Sequence, residues 1–152
     1  MTINPFDLKS ALLAKHAQHV VLIHFPIALF ISSVTFDLLA ICRRSRSLAK
    51  AAYYNLIGAA ITALAAVGTG VLAWQLQLQG EKLRGNLRLH LSLGASSAVL
   101  ICLLGWWRSR QERADEGSSP AFGYWALALI GVLMVALTGH LGGILSGVDV
   151  PN

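Results

Sequence analysis

Four stretches of this chain are apolar almost without interruption: 17–42, 53–76, 87–107 and 121–145. Each meets the roughly 20-residue requirement for a helix to cross about 30 Å of hydrocarbon. Polar and charged residues gather between the stretches, as expected if the helices run back and forth through a bilayer. The pattern predicts an all-α polytopic membrane protein, a single bundle of four transmembrane helices. Ahead of it, Asn4-Pro5-Phe6-Asp7 reads as a helix start, with Asn4 as cap and Pro5 in the first position. Phe6, Leu12 and Leu13, with Lys9 and Lys15 on other faces, then make a short N-terminal helix expected to lie in the interface. The first apolar stretch begins too late and runs too long for a secretory signal, and should stay in the mature chain.

Composition agrees. Of 152 residues 55% are hydrophobic and 12% are charged, about half the charged share of a soluble domain. The net charge of +5 does not form one basic face, so nucleic acid is not an expected partner. The cations report topology instead. Arg43, Arg44, Arg46 and Lys50 fall between stretches one and two, and Arg108, Arg110 and Arg113 between three and four. Lys9, Lys15, Lys82, Arg84 and Arg88 fall at the other end. Seven against five places the first group in the cytoplasm. Both termini are then periplasmic and the chain sits in a bacterial inner membrane. Tyr53, Tyr54, Trp106, Trp107, Tyr124 and Trp125 would form the interfacial belt at the cytoplasmic boundary, with Trp74 near the other. Cys42 and Cys102 read as small apolar fillers in a reducing setting, with no disulfide.

The chemistry-bearing residues are the histidines. His16, His19 and His24 open the first helix, His90 opens the third and His140 closes the fourth, so alternating direction brings all five to one end. Histidine is expensive in hydrocarbon and is a functional-site candidate there. Bis-histidine haem ligation needs two neutral imidazoles on different helices, facing each other across a gap. His24, His90 and His140 meet the helix requirement and are the expected ligands of haem b or another metal. His19 is a second-tier candidate, for iron, a propionate or the interface, and His16 is expected at the surface. His19 and His24 are five apart, about 140° around a straight helix, and should point different ways. For each histidine alone, a bond to a neighbouring carbonyl is the bland alternative. Arg84 and Arg88 would contact haem propionates or lipid headgroups. Acids are scarce at this level, which argues against a carboxylate-bridged di-iron centre. Asp37 lies about 20 Å deeper, thirteen residues beyond His24 at 1.5 Å each, and is expected to pair with Arg43, Arg44 or the 53–55 region. Small-residue stripes, Gly58, Thr62, Ala66 and Gly70 on helix two and Gly139, Gly143 and Gly147 on helix four, should let helices approach closely. Pro26 should kink helix one beside His24.

His19-Val20-Val21-Leu22-Ile23-His24-Phe25-Pro26-Ile27-Ala28-Leu29, then Asp37, His90 and Gly139-His140-Leu141-Gly142-Gly143, resemble an uncharacterised four-helix bacterial membrane-protein family, domain-of-unknown-function family 2231. The His-Phe-Pro-Ile-Ala-Leu and His-Leu-Gly-Gly elements carry the likeness over nearly the whole chain. Members occur fused to or beside Rieske and cytochrome c modules, so the resemblance implies membrane redox work. The chain departs from the family pattern at Val20, where a proline is common, and at Ser146 to Val148. Residues and resemblance together lead to the expectation of a b-type cytochrome-like electron-transfer subunit in a larger redox complex. Quinone or a cytochrome c would exchange electrons with it, and it is not expected to be a stand-alone enzyme. A copper- or zinc-binding transport module, using the same histidines, and a cofactor-free structural subunit are the two alternatives.

Overall fold

The computed structural model describes residues 17–77, 82–114 and 120–145. They form four α-helices: α1 (Ala17–Arg43), α2 (Arg46–Gln77), α3 (Gly85–Ala114) and α4 (Phe122–Leu145). All four are long and apolar enough to span a membrane. The expected N-terminal interfacial helix and His16 lie outside the described residues, as do Gly147 and the tail from Ser146 to Val148.

α1 and α4 follow the predicted spans closely. α2 and α3 run further at the end opposite the histidines, taking in Arg46 to Ala52 and Arg108 to Ala114. Those segments mix apolar and charged residues and read as loop by hydropathy, but their backbone continues the helix. The α1–α2 connection shrinks to Arg44 and Ser45. Arg44 adopts φ 49° and its N–H donates to the Ile41 carbonyl at 3.3 Å, while the Ser45 N–H donates to that of Ala40 at 3.0 Å. This is a Schellman stop made with arginine where glycine is usual. Ser45 then starts α2, its Oγ accepting from the Leu48 N–H at 3.4 Å.

α1 packs most extensively on α2; α3 packs on α4 and on α2, and α1 touches α4 at only a few points. Small residues let α1 and α2 approach closely. A Cβ on Gly58 would stand 3.3 Å from Leu29, and one on Gly70 would stand 3.0 Å from the His19 ring, so the stripe predicted on α2 does face α1. On α4 the first glycine of the predicted stripe makes no such contact. Gly139 has open space beside it, and the close approaches come from Gly131, against Phe30, and Gly142, against His90. Phe30, Leu56, Ala59, Ile101, Leu104, Tyr124, Ala128 and Val135 form the core. Large apolar side chains on every helix point outward, among them Val21, Ile61, Leu103 and Leu133, each more than half exposed. Such a surface suits hydrocarbon and not water. Several hydroxyls inside the spans bond within their own helices: Thr35, Thr62, Ser97, Ser109 and Thr138 each donate to the carbonyl four residues back.

One polar cluster stands apart from that local pattern. Asp37 is buried at the end opposite the histidines. Its Oδ1 accepts from Arg108 Nη2 at 3.3 Å and its Oδ2 from the Tyr124 hydroxyl at 3.2 Å, so one carboxylate joins α1, α3 and α4. Ser33, one turn away, donates to the Ala52 carbonyl at 2.8 Å and brings in α2. This corrects three expectations. Asp37 pairs with neither Arg43, Arg44 nor the 53–55 region; Asn55 spends its amide on the Ala51 carbonyl. Arg108 is a fully buried helical residue, not a loop cation, and Tyr124 is fully buried, not part of an interfacial belt. Trp106 is half-exposed under the Arg110 guanidinium, 4.2 Å from its ring centre, as a belt residue would be.

Candidate functional site

At the histidine end the four helices part around a cavity of about 310 Å³. α1 contributes His19, Ile23, Pro26 and Ile27; α2 contributes Ala63, Ala66, Val67 and Gly70; α3 brings His90, Gly94 and Ala98; α4 brings Val135, Thr138 and Gly139. The volume lies at the low end of ligand-holding cavities, about 300–1,000 Å³, and the walls are apolar with a few convergent polar groups, as such sites are. Leu83 and Trp74 also line it, next to the exposed Lys82 and Arg84, with Arg88 exposed one turn into α3.

Two imidazoles enter this cavity, and their hydrogen bonds fix which nitrogen carries the proton. His90 Nδ1 lies 3.0 Å from the Thr138 carbonyl, which can only accept, so Nδ1 is the protonated nitrogen. His19 Nδ1 lies 3.0 Å from Thr69 Oγ1, and the Thr69 hydroxyl already donates to the Ala66 carbonyl at 3.0 Å. The hydroxyl proton being spent, Oγ1 accepts from His19 Nδ1. Both Nε2 atoms therefore keep a bare lone pair. Both rings line the same cavity.

The two arms of the site repeat one plan. Each helix hairpin supplies a histidine near the start of its first helix and a Thr-Gly pair near the end of its second, Thr69-Gly70 for His19 and Thr138-Gly139 for His90. Each ring also lies against a glycine of the second helix, Gly70 for His19 and Gly142 for His90, with Cε1 at 3.0 and 3.2 Å from where a Cβ would be. Any larger residue there would push the imidazole away. No sequence motif of recognised type announces this correspondence.

The other histidines are placed differently. His24 is exposed on the outer surface of α1 and its Nδ1 lies 2.6 Å from the Val20 carbonyl. The five-residue spacing from His19 thus puts the two on different faces, one in the cavity and one out. His140 is exposed on α4 and is not among the cavity residues. Of the three ligands expected from sequence, the fold brings only His90 into the cavity, and it adds His19. Among the described residues no group of three or more His, Cys, Asp or Glu side chains is arranged to hold a metal ion.

Residues 15–150 match the family described as Predicted membrane protein (DUF2231). The chain belongs to this family. No curated protein and no solved structure matches it. Membership and the four spanning helices agree, and they place the protein in a lipid bilayer.

Proposed function

We propose that this member of the family is a membrane electron-transfer subunit that holds b-type haem between His19 and His90. The observation that carries the reading is the pair of anchored imidazoles, each with Nδ1–H committed and Nε2 bare, lining one apolar cavity from opposite hairpins. A ligating histidine characteristically donates its second nitrogen to a carbonyl or other acceptor, which fixes the ring and raises its basicity. Haem iron takes four nitrogens from the porphyrin and needs only two from the chain, so two imidazoles are a complete set. Zinc generally needs three or four protein ligands, and the cavity's two would leave it short. When bound, the haem supplies a one-electron couple. The chain orients the ligands, excludes water with Ile23, Ile27, Val67 and Val135, and offers Arg84 and Arg88 at the rim as partners for propionates.

In this reading the histidine end is periplasmic. With Arg108 withdrawn into the bundle, Arg43, Arg44, Arg46, Lys50, Arg110 and Arg113 still outnumber the five cations of the other end, which favours that end as cytoplasmic. A chain with such short connections exchanges electrons with a neighbour, a quinone or a cytochrome c domain, within a larger assembly.

The test is a reduced-minus-oxidised spectrum of protein purified from membranes, with haem counted per chain. Wild type is expected to show a b-type band, His19→Ala and His90→Ala to lose it, and His24→Ala and His140→Ala to keep it. A chain without haem sinks the proposal, and so does retention by both cavity variants. Stoichiometric copper or zinc without a chromophore would favour the metal-binding alternative.

A further inference from the structure

The two ligand arms differ in one respect. His90 is held by a backbone carbonyl, which no substitution at Thr138 removes. His19 is held by a side chain. We infer that Thr69 is the positioning residue of this site: its hydroxyl sets the orientation and the electron-donating strength of His19, and so makes the His19 arm adjustable by sequence. The inference rests on the haem reading only for its consequence at iron.

The geometry is a two-step relay. Thr69 Oγ1 donates to the Ala66 carbonyl within its own helix, 3.0 Å away, which fixes the rotamer and turns the oxygen lone pairs outward. One of them receives His19 Nδ1–H at 3.0 Å. Gly70, the next residue, leaves room for the ring edge, with a Cβ position only 3.0 Å from Cε1. Thr69 and Gly70 therefore act together, one drawing the ring in and the other making space. An imidazole whose Nδ1–H is held by an acceptor is a stronger σ-donor through Nε2. A bound iron would feel this as a ligand tilted toward imidazolate, favouring the oxidised state.

Thr69→Val keeps the shape and removes the hydroxyl; Thr69→Ser keeps the hydroxyl. Thr62→Val is the matched control, since Thr62 makes the same type of bond, to the Gly58 carbonyl at 2.7 Å, and is not among the cavity residues. The first measurement is the ¹⁵N and Nδ1–H signal of His19 in haem-free protein in nanodiscs. Thr69→Val is expected to shift it, Thr69→Ser to restore it and Thr62→Val to leave it unchanged. The second measurement, on haem-loaded protein, is affinity and midpoint potential. Thr69→Val should bind haem about 10–100-fold more weakly and move the potential upward, with Thr69→Ser close to wild type. An unmoved His19 signal in Thr69→Val overturns the inference whether or not haem binds. A moved signal in a protein that takes up no haem upholds the Thr69–His19 coupling and rejects the haem reading alone.

Discussion

Removing the Asp37 carboxylate should destabilise the bundle more than any exposed substitution, and removing its partner as well should restore most of the loss. Arg108 is fully buried and Asp37 is 1% exposed, with a 3.3 Å contact between them. Asp37→Leu strands a guanidinium with no water to solvate it, and loss of one partner of a buried ion pair costs about 3–5 kcal/mol. Arg108→Met is milder, about 1–3 kcal/mol, because the carboxyl left behind keeps the Tyr124 hydroxyl and can take up a proton. The double variant replaces a buried pair by apolar groups of similar volume, a change that is often neutral. The single costs would then sum to roughly 4–8 kcal/mol against little for the double, a coupling of about 3 kcal/mol or more. Reversible unfolding in mixed micelles measures all four proteins, and near-ultraviolet dichroism is a suitable probe because Trp125 stacks edge-on against Tyr124 with ring centres 5.9 Å apart. Burial also makes the effect insensitive to ionic strength. If the double variant is as unstable as the sum of the singles, Asp37 and Arg108 do not interact and the account of the cluster is wrong.

Tyr124→Phe deletes one hydrogen bond to a charged group and should cost about 1.5–3 kcal/mol in the same unfolding experiment. Gly131→Ala would place a Cβ 2.9 Å from Phe30 Cζ, and overpacking of this kind costs about 1–3 kcal/mol; Gly68→Ala, with nothing within 4 Å, should be neutral or stabilising by up to about 1 kcal/mol. Equal effects of the two would refute the packing argument. Arg44→Gly relieves a left-handed backbone and should stabilise by about 1 kcal/mol, read as a raised midpoint of unfolding. Gly70→Ala must displace the His19 ring and is expected to lower haem retention without lowering the fraction of folded protein.

Levels along the membrane normal were legible in the sequence, and azimuth was not. Hydropathy located α1 and α4 and set all the histidines at one end, because depth follows from counting residues. Which histidine faces inward depends on how the helices are rotated, and that is decided by close contacts. α1 seats against α2 where Gly58 and Gly70 admit Leu29 and His19, and this turns His19 in and His24 out. Spacing required the two to diverge and depth below the boundary favoured His24, whereas the packing brings His19 into the cavity. The anchors were hidden as well: threonine in a membrane helix ordinarily bonds to its own backbone, as Thr62 does, which gives no hint of Thr69 as a partner, and a backbone carbonyl such as that of Thr138 carries no sequence signal at all. Arg108 was concealed by its neighbours, since an arginine beside Arg110 and Arg113 reads as loop charge. Its pairing with Asp37 spans 71 positions, and only the folded bundle, which brings Asp37, Arg108 and Tyr124 together, exposes it.

That separation has a consequence for biogenesis. α1 carries Asp37 and is synthesised first, while Arg108 follows 71 residues later. At about 5–20 residues per second, roughly 4–14 s pass before the guanidinium is made. During this interval α1 must sit in the insertion machinery or the bilayer with an acid whose partner does not yet exist, at a penalty of about 2.5–3.5 kcal/mol for a central aspartate and less near the helix end. The nascent chain is thus committed to waiting: α1 and α2 can form their hairpin, but the membrane-embedded acid gains its cationic partner only when α3 arrives.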